Sequence, residues 1–508
     1  MKNGQKTRVA HNTLRVKRLG IEAQRQDIVF MRRDCHVCRS EGFTGHARVR
    51  VTHGNRSVIA TLFHVSSGLL AENEAGLSDS AIKRLNVEDG DLVVLSHPVP
   101  VKSMSDVRSK IYGRTLDSAS YRDIIKDIVL GRYSDIELSS FVTACSARPL
   151  EHTEMIGLTE AMVGVGERLD WGTEPIMDKH CVGGLAGNRT TPIVVAIVAV
   201  SGLLIPKTSS RAITSPAGTA DAMETLAPVD LSISDMRRVV EAEGGCVVWG
   251  GAVRLSPADD ILIRIERALD IDSEGQLVAS VMSKKIAAGA TQVVLDLPVG
   301  PTAKVRDEET AIRVGDALSA VGKAFNVEAR ALPTDGLQPV GRGIGPALEA
   351  RDVLAVLQNR PEAPSDLRDR ATTLAGILLE MGGKARPEEG KIKAQQVIES
   401  GQAWTKFQAI CEAQGGMRTP PMSNHRHEVV ALRSGIVNAI DNRRISKAAK
   451  LAGAPEAHAA GVDSHKQLRD RVEKGEPLFT LHAETPGELH YALTYVTEND
   501  PIMTIGPS

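Results

Sequence analysis

At 508 residues the chain has room for two to four domains and ample core. A formal net charge of -2 gives no general attraction for nucleic acid or anionic membrane, and 3% aromatics leave little surface for stacking single-stranded bases. The 42% hydrophobic and 24% charged residues suit an ordinary globular protein, and six cysteines in this length make no disulfide framework, which fits a reducing compartment.

The first stretch, "MKNGQKTRVAHNTLRVKRLG", is basic but lacks the apolar run of a signal peptide. The longest apolar run, Ile193 to Ile205, is too short to span a bilayer and reads as a buried helix. Together they lead us to expect a cytoplasmic protein. Residues 1–98 form a β-rich block: "RVRVTHGNRSVIATLFHV" alternates and is β-branched, so it predicts strands. "GLSDSAIKRLNVEDGDLVVLSHP" predicts a short helix, a turn at Glu88–Asp91 and a strand. Residues 103–172 carry apolar positions three and four apart and predict a helical domain, which 258–287 joins. Over 173–415 short apolar strands such as "GCVVWGG" and "TQVVLDLPVG" alternate with helices, the pattern of an α/β domain with a largely parallel sheet. "HEVVALRSGIV" and "GEPLFTLHAE" predict a β-rich domain over 416–508. The expected fold is multidomain α/β.

Chemistry concentrates in "KHCVGGLAGNRTTP", Lys179 to Pro192. Unpaired N–H groups and the dipole at a helix start favour an anion, and glycines let it approach the main chain. Thr190 or Thr191 can cap the helix, Pro192 suits its first turn, and Lys179 adds full charge. The loop reads as an anion site, most simply for phosphate. It is neither a Walker A loop nor a dinucleotide fingerprint, because the glycines at 183, 184 and 187 have the wrong spacing. Alone, such a turn is more often structural. A second loop, "SSRAITSPAGTADAME", holds Arg211 among many hydroxyls, with Thr219 as a candidate cap for the next helix.

"DKHCVGG", "SSRAITSPAGTADAME", "LSPADD", "ASVMSKKIAAGA" and "IGLTEAMVGVGERLDW" together resemble the thymidine phosphorylase and AMP phosphorylase family, from about Val107 to the C-terminus. The block at 1–98 resembles the extension of the long members. The resemblance implies phosphorolysis: phosphate attacks C1′ of a nucleoside or nucleotide, giving free base and a pentose 1-phosphate. It implies an enzyme without metal or organic cofactor, acting on small molecules as a homodimer or larger homo-oligomer.

The same resemblance places phosphate on Lys179, Gly184, Thr190 and Thr219. Cys181 stands where a phosphate-contacting serine is usual, and a thiol donates weakly. His180, Ser280 and Lys284 match base-side positions, and Asp272 matches the proton donor of AMP-type members. Substrate contacts in those members match Ser210, Arg211, Ala212, Ile213, Thr214, Ser215, Ser280 and Lys304. Of the adjacent Lys284 and Lys285, one should face the cleft and the other solvent. The base-contacting tyrosine of short thymidine phosphorylases has no counterpart in "DDILIRIERALD". Each of these residues has a plainer reading as a cap, a turn or a solvated charge.

"RDCHVCRSEGF" leaves three readings open: half a zinc site completed by His36, His46, His53 or His64, a redox pair, or two thiols in a turn. "GVDSHKQLRDRVEKGEPLFTLHAE" resembles the sandwich of biotinyl and lipoyl carriers without their lysine hairpin, so it reads as structural. Three functional classes stand: a thymidine-type phosphorylase, an AMP-type phosphorylase, and a nucleotide-binding regulator without turnover. A phosphoribosyltransferase would need Mg²⁺ and acidic motifs near the loops, which are not seen.

Overall fold

The computed structural model describes residues 12–23, 26–66, 68–212, 215–271 and 273–507. The chain divides into two compact units, Met1–Arg108 with Lys126–Ser140, and Ser109–Ile125 with Phe141–Ser508.

The first unit is built on a closed six-stranded barrel. Its strands are Thr13–Arg18, Ile28–Arg32, Arg48–His53, Arg56–Val65, Glu74–Leu77 and Leu92–Ser96, arranged first, fifth, second, fourth, third, sixth. Antiparallel pairing of Thr13 with Val94 closes the ring and removes sheet edges. The alternating sequence sends Val49, Val51, Val58, Ala60 and Leu62 into the core, as a half-buried strand must. The predicted short helix is Asp79–Leu85, capped by Ser78, and the predicted strand after the turn is Leu92–Ser96.

The second unit holds a parallel sheet. Strand Gln292–Val299 pairs with Met177–Cys181 on one side and with Glu328–Asp335 on the other. Strands Ile205–Ser209 and Gly245–Trp249 form a second parallel pair, and a parallel bridge from Ile176 to Leu204 joins it to Met177–Cys181. Numbered along the chain, the strands run 3-2-1-4-5 across the sheet. The order reverses between Met177–Cys181 and Gln292–Val299, and a ligand crevice opens at such a reversal, beyond the carboxyl ends of the strands.

The run "TPIVVAIVAV" is the helix Thr191–Val200, buried on all sides except near its end. It packs on helices Ser365–Met381 and Gln402–Ala413, so an all-round apolar sequence suits it. Helix Glu274–Ala287 lies along His152–Gly164. The C-terminal strands His425–Val430, Gly435–Ile440 and Pro477–Ala483 fall where they were expected. Two helices, Asn442–Leu451 and Pro486–Glu498, also pack into that core, which the strand pattern did not announce. No helix among the described residues is long and apolar enough to cross a membrane.

Candidate active site

Three loops leave the carboxyl ends of the strands around the reversal point. The first follows Cys181 and carries Gly183, Gly184 and Gly187, all at positive φ (93°, 82° and 69°). A side chain on Gly184 would collide with the backbone of Ala303 and Lys304, so only glycine lets this loop meet the loop after Val299. Lys304 thus lies against the glycine loop, its stem alongside Gly183.

Behind these loops the strand end is strongly cationic. Asp178 is fully buried and binds two buried ammonium groups, Lys285 at 2.7 Å and Lys207 at 3.3 Å. Lys285 is therefore buried rather than solvated, contrary to expectation, because an internal carboxylate awaits it. Burial lowers the Lys285 ammonium to about 7 against the opposing pull of Asp178. Lys179, next along the strand, is 2% exposed, and among the described residues no carboxylate lies within ion-pairing distance of it. Burial lowers its pKa too, while Cys181 and Asp296 pull the other way. His180 is held well below its ordinary value by burial and by Lys285, Lys284, Lys207 and Lys179, so it is a neutral imidazole at neutral pH. Burial pushes the Cys181 thiol up to about 12, and Asn188 sits 3.3 Å from its sulfur. It is a protonated thiol, not a nucleophile.

Thr190 occupies the cap position of the apolar helix, but its side chain makes no capping bond. Its hydroxyl and that of Ser209, at the end of the next strand, are buried without a partner in the chain. Unpartnered buried hydroxyls are rare and mark groups available to a bound molecule. Ser209 was not anticipated as a site residue; its signal is its place at the end of a buried strand and the start of the hydroxyl-rich loop.

The second loop is organised by carboxylates. Arg211 pairs with Glu224 and Asp221 and lies 4.9 Å from the centre of the Trp249 ring. The carboxylate of Asp221 accepts from the Ala212 and Gly218 amides. Gly218, not Thr219, is the cap of helix Thr219–Glu224. Ser215 bonds to the Ala217 carbonyl, Ser210 is exposed, and Ile213, Thr214 and Asp272 lie outside the described residues.

One residue ties the loops together. Arg189, from the glycine loop, donates to Glu349 at 2.7 Å, to the Thr219 hydroxyl and to the Ala217 carbonyl at 3.0 Å. Glu349 is 1% exposed on helix Pro346–Leu357. Burial pushes its carboxyl up to about 7 against the pull of Arg189. On the base-side positions, Lys284 donates to Asp259 at 2.7 Å and to Ser280 at 3.1 Å. Ser280 and Lys284 share a helix face at a spacing of four. Arg189, Glu349, Asp178, Lys207 and Asp259 escaped the sequence reading, although "LSPADD" and "DKHC" contain two of them.

Residues 173–404 match the profile of a glycosyl transferase family, a/b domain, and 107–166 match its helical bundle domain. Residues 436–505 match a pyrimidine nucleoside phosphorylase C-terminal domain. The chain is 58% identical over 488 residues to a protein of Hahella chejuensis named "Putative thymidine phosphorylase", covering 96% of this chain and 97% of that one. The chain belongs to the thymidine phosphorylase family of glycosyltransferases. A second member with that name, from a Polaromonas species, is 59% identical, with 95% of this chain and 94% of the other covered. Anthranilate phosphoribosyltransferase from Thermus thermophilus has the same fold over 61% of this chain and 98% of its own, with a TM-score of 0.51 and 20% identity. As a member of this family the protein is a pentosyltransferase, and its parallel sheet, helical region and C-terminal domain are the family's parts.

Two outcomes follow from the charges. Glu349→Gln keeps the shape and the Arg189 bonds to Thr219 and Ala217 but removes the carboxylate that fixes the guanidinium, at a cost of about 1–3 kcal/mol. Urea unfolding should move to lower concentration, and half-saturation by phosphate should rise several-fold as Thr219 loses its fixed partner. Wild-type values for both would refute this wiring. The second outcome is a pH effect. Unfolded His180 takes a proton near its ordinary 6.5, while the folded chain refuses it until well below. Stability from this group is therefore lost as pH falls below that value, by about 1 kcal/mol on reaching a point one unit lower. In phosphate-free buffer, His180→Asn should flatten the acid side of the stability curve by that amount; parallel curves would count against a neutral His180.

Proposed function

We propose that the protein is a thymidine-phosphorylase-type enzyme, cleaving a pyrimidine nucleoside with inorganic phosphate as co-substrate and no organic cofactor or metal. The observation that carries this reading is the set of groups at the sheet's reversal point: the buried Lys179 on the strand that leads into the glycine loop, with the unpartnered hydroxyls of Thr190 and Ser209. A buried ammonium with no carboxylate in ion-pairing distance among the described residues, drawn on by the more distant Asp296, suits a dianion brought by the reaction.

In this reading a phosphate oxygen attacks C1′, and the electron pair of the N-glycosidic bond leaves with the base. The sugar becomes cation-like in between, so a held dianion on the attacking face stabilises the transition state. Lys284, fixed by Asp259, and the neutral imidazole of His180 donate hydrogen bonds to the departing base as negative charge builds on it. Asp259 holds the Lys284 amine in place at 2.7 Å.

The nucleotide alternative needs a second anion site. Arg211 and Lys304 were its candidates; the Arg211 guanidinium is already bound by Glu224 and Asp221, and the Lys304 stem lies against the glycine loop. That favours a nucleoside. The test is a competition between thymidine and AMP at equal concentration, with and without phosphate. Thymine should be released first and only with phosphate, or with arsenate in its place. Lys179→Ala should lower catalytic efficiency for phosphate more than tenfold, from a lost contact of about 1.5–3 kcal/mol, without loss of fold. Preferential release of adenine would establish the AMP-type reading. Base release without phosphate would overturn phosphorolysis altogether.

A further inference from the structure

The motif "RDCHVCRSEGF" plays no part in this chemistry. In the barrel, Cys35 is the cap residue of the short helix His36–Glu41, and its sulfur accepts from the Cys38 amide at 3.3 Å. A cap side chain that folds back in this way lies over the third helical residue, here Cys38, so the two sulfurs share one end of the helix. The Cys38 sulfur is 3.9 Å from Nε2 of His64. His64 is brought there by parallel pairing, in which it stands opposite Met31 on the strand that leads into the motif. Both cysteines are buried and reduced.

Beside them lies a surface hollow of about 420 Å³ lined by Arg32, Arg33, Asp34, Arg39, Val65 and Ser66. Asp34, Arg39 and Val65 are the immediate chain neighbours of Cys35, Cys38 and His64. Asp34 is taken up by a two-bond pair with Arg32, at 2.8 and 2.6 Å. Arg33 and Arg39 are exposed, so the hollow presents net positive charge. Among the described residues no group of three or more His, Cys, Asp or Glu is placed to hold a metal ion. The zinc reading therefore has no complete ligand set, and dithiol chemistry is what the cluster supports.

We propose that Cys35 and Cys38 form a reversible intrachain disulfide by exchange with a small disulfide bearing carboxylates, which docks against Arg33 and Arg39. The Cys35 thiolate attacks one sulfur of the small disulfide, forming a mixed disulfide and releasing one small thiol. Cys38 then gives its proton to His64 and attacks the Cys35 sulfur, releasing the second small thiol. Two protein thiols are oxidised and one small disulfide is reduced to two thiols. The pair is asymmetric in the required sense: its hydrogen bonds, that with Cys38 foremost, lower the Cys35 thiol to about 6, while the interaction with Cys35 and burial raise Cys38. Burial sets the pace, because the sulfurs are reached only as the six-residue helix opens, and a helix of that length is marginal without its packing.

The test uses the full reduced chain, incubated folded with oxidised glutathione, then denatured, alkylated and mapped by mass. The peptide holding Cys35 and Cys38 should be two hydrogens lighter, unalkylated and free of adduct, and a dithiol reductant should restore it. Cys145, Cys181, Cys246 and Cys411 should remain alkylated in the same sample. Cys38→Ser should stop at a glutathione adduct on Cys35. The Arg33→Ala, Arg39→Ala double variant should slow oxidation by oxidised glutathione several-fold and leave oxidation by uncharged 2-hydroxyethyl disulfide unchanged. Full alkylation of the pair, or a lasting adduct on the wild-type chain, would overturn the disulfide. An unchanged rate ratio between the two reagents would overturn the arginine docking.

Discussion

Two ammonium groups share one buried carboxylate at the heart of the catalytic sheet. Asp178 joins its own strand to Lys207 on the next strand and to Lys285 on helix Glu274–Ala287. Removing Asp178 would leave two buried ammonium groups facing each other without compensation, so this carboxylate locks the three elements in register. The ammonium groups outnumber this carboxylate, and burial answers the excess by lowering Lys285 to about 7 and Lys179 below its ordinary value, with Asp296 pulling Lys179 the other way. Such an interior is unfavourable in the empty protein unless the charges are needed. A site that receives a dianionic substrate needs them, because desolvated cations hold an anion far more strongly than surface ones. The neutral state of His180 follows from the same field, since an imidazolium would add a further positive charge to it.

Around that fixed charge the backbone supplies shape. Positive-φ glycines bring the first loop against Ala303 and Lys304, so two loops on either side of the reversal point share one surface. Arg189 extends the tie to the second loop through Thr219 and Ala217 and is itself fixed by Glu349. The second loop pairs its own arginine with its own carboxylates, Glu224 and Asp221, so Arg211 anchors the loop. The Thr190 and Ser209 hydroxyls stay unpartnered at the two strand-to-helix turns, where helix starts also offer unpaired amides.

The barrel follows a different logic. It has its own closed sheet and its own apolar core, into which Cys35 and Cys38 are packed beside Val37. Local alternation of apolar residues was enough to foresee its strands. Closure was not legible, since it depends on pairing Thr13 with Val94, two strands at opposite ends of the block.

What the sequence by itself determined is what local chemistry dictates. The glycine spacing, the proline at the start of an apolar run and the switch between two- and three-to-four-residue periods placed the loops, the buried helix and the parallel strands. The motifs, taken together and in order, pointed to the phosphorylase family by resemblance. What only the tertiary structure decided is the fate of each charge. Lys285 looked solvated and is buried, because its partner Asp178 lies 107 residues away. Arg189 was not singled out and is the tie between loops, because Glu349 lies 160 residues away. Arg211 looked like a substrate contact, and the fold also pairs it with Glu224 and Asp221 in its own loop. An ionic group's role depends on which opposite charge reaches it and on how much water is excluded, and both are properties of packing between segments that no local pattern records.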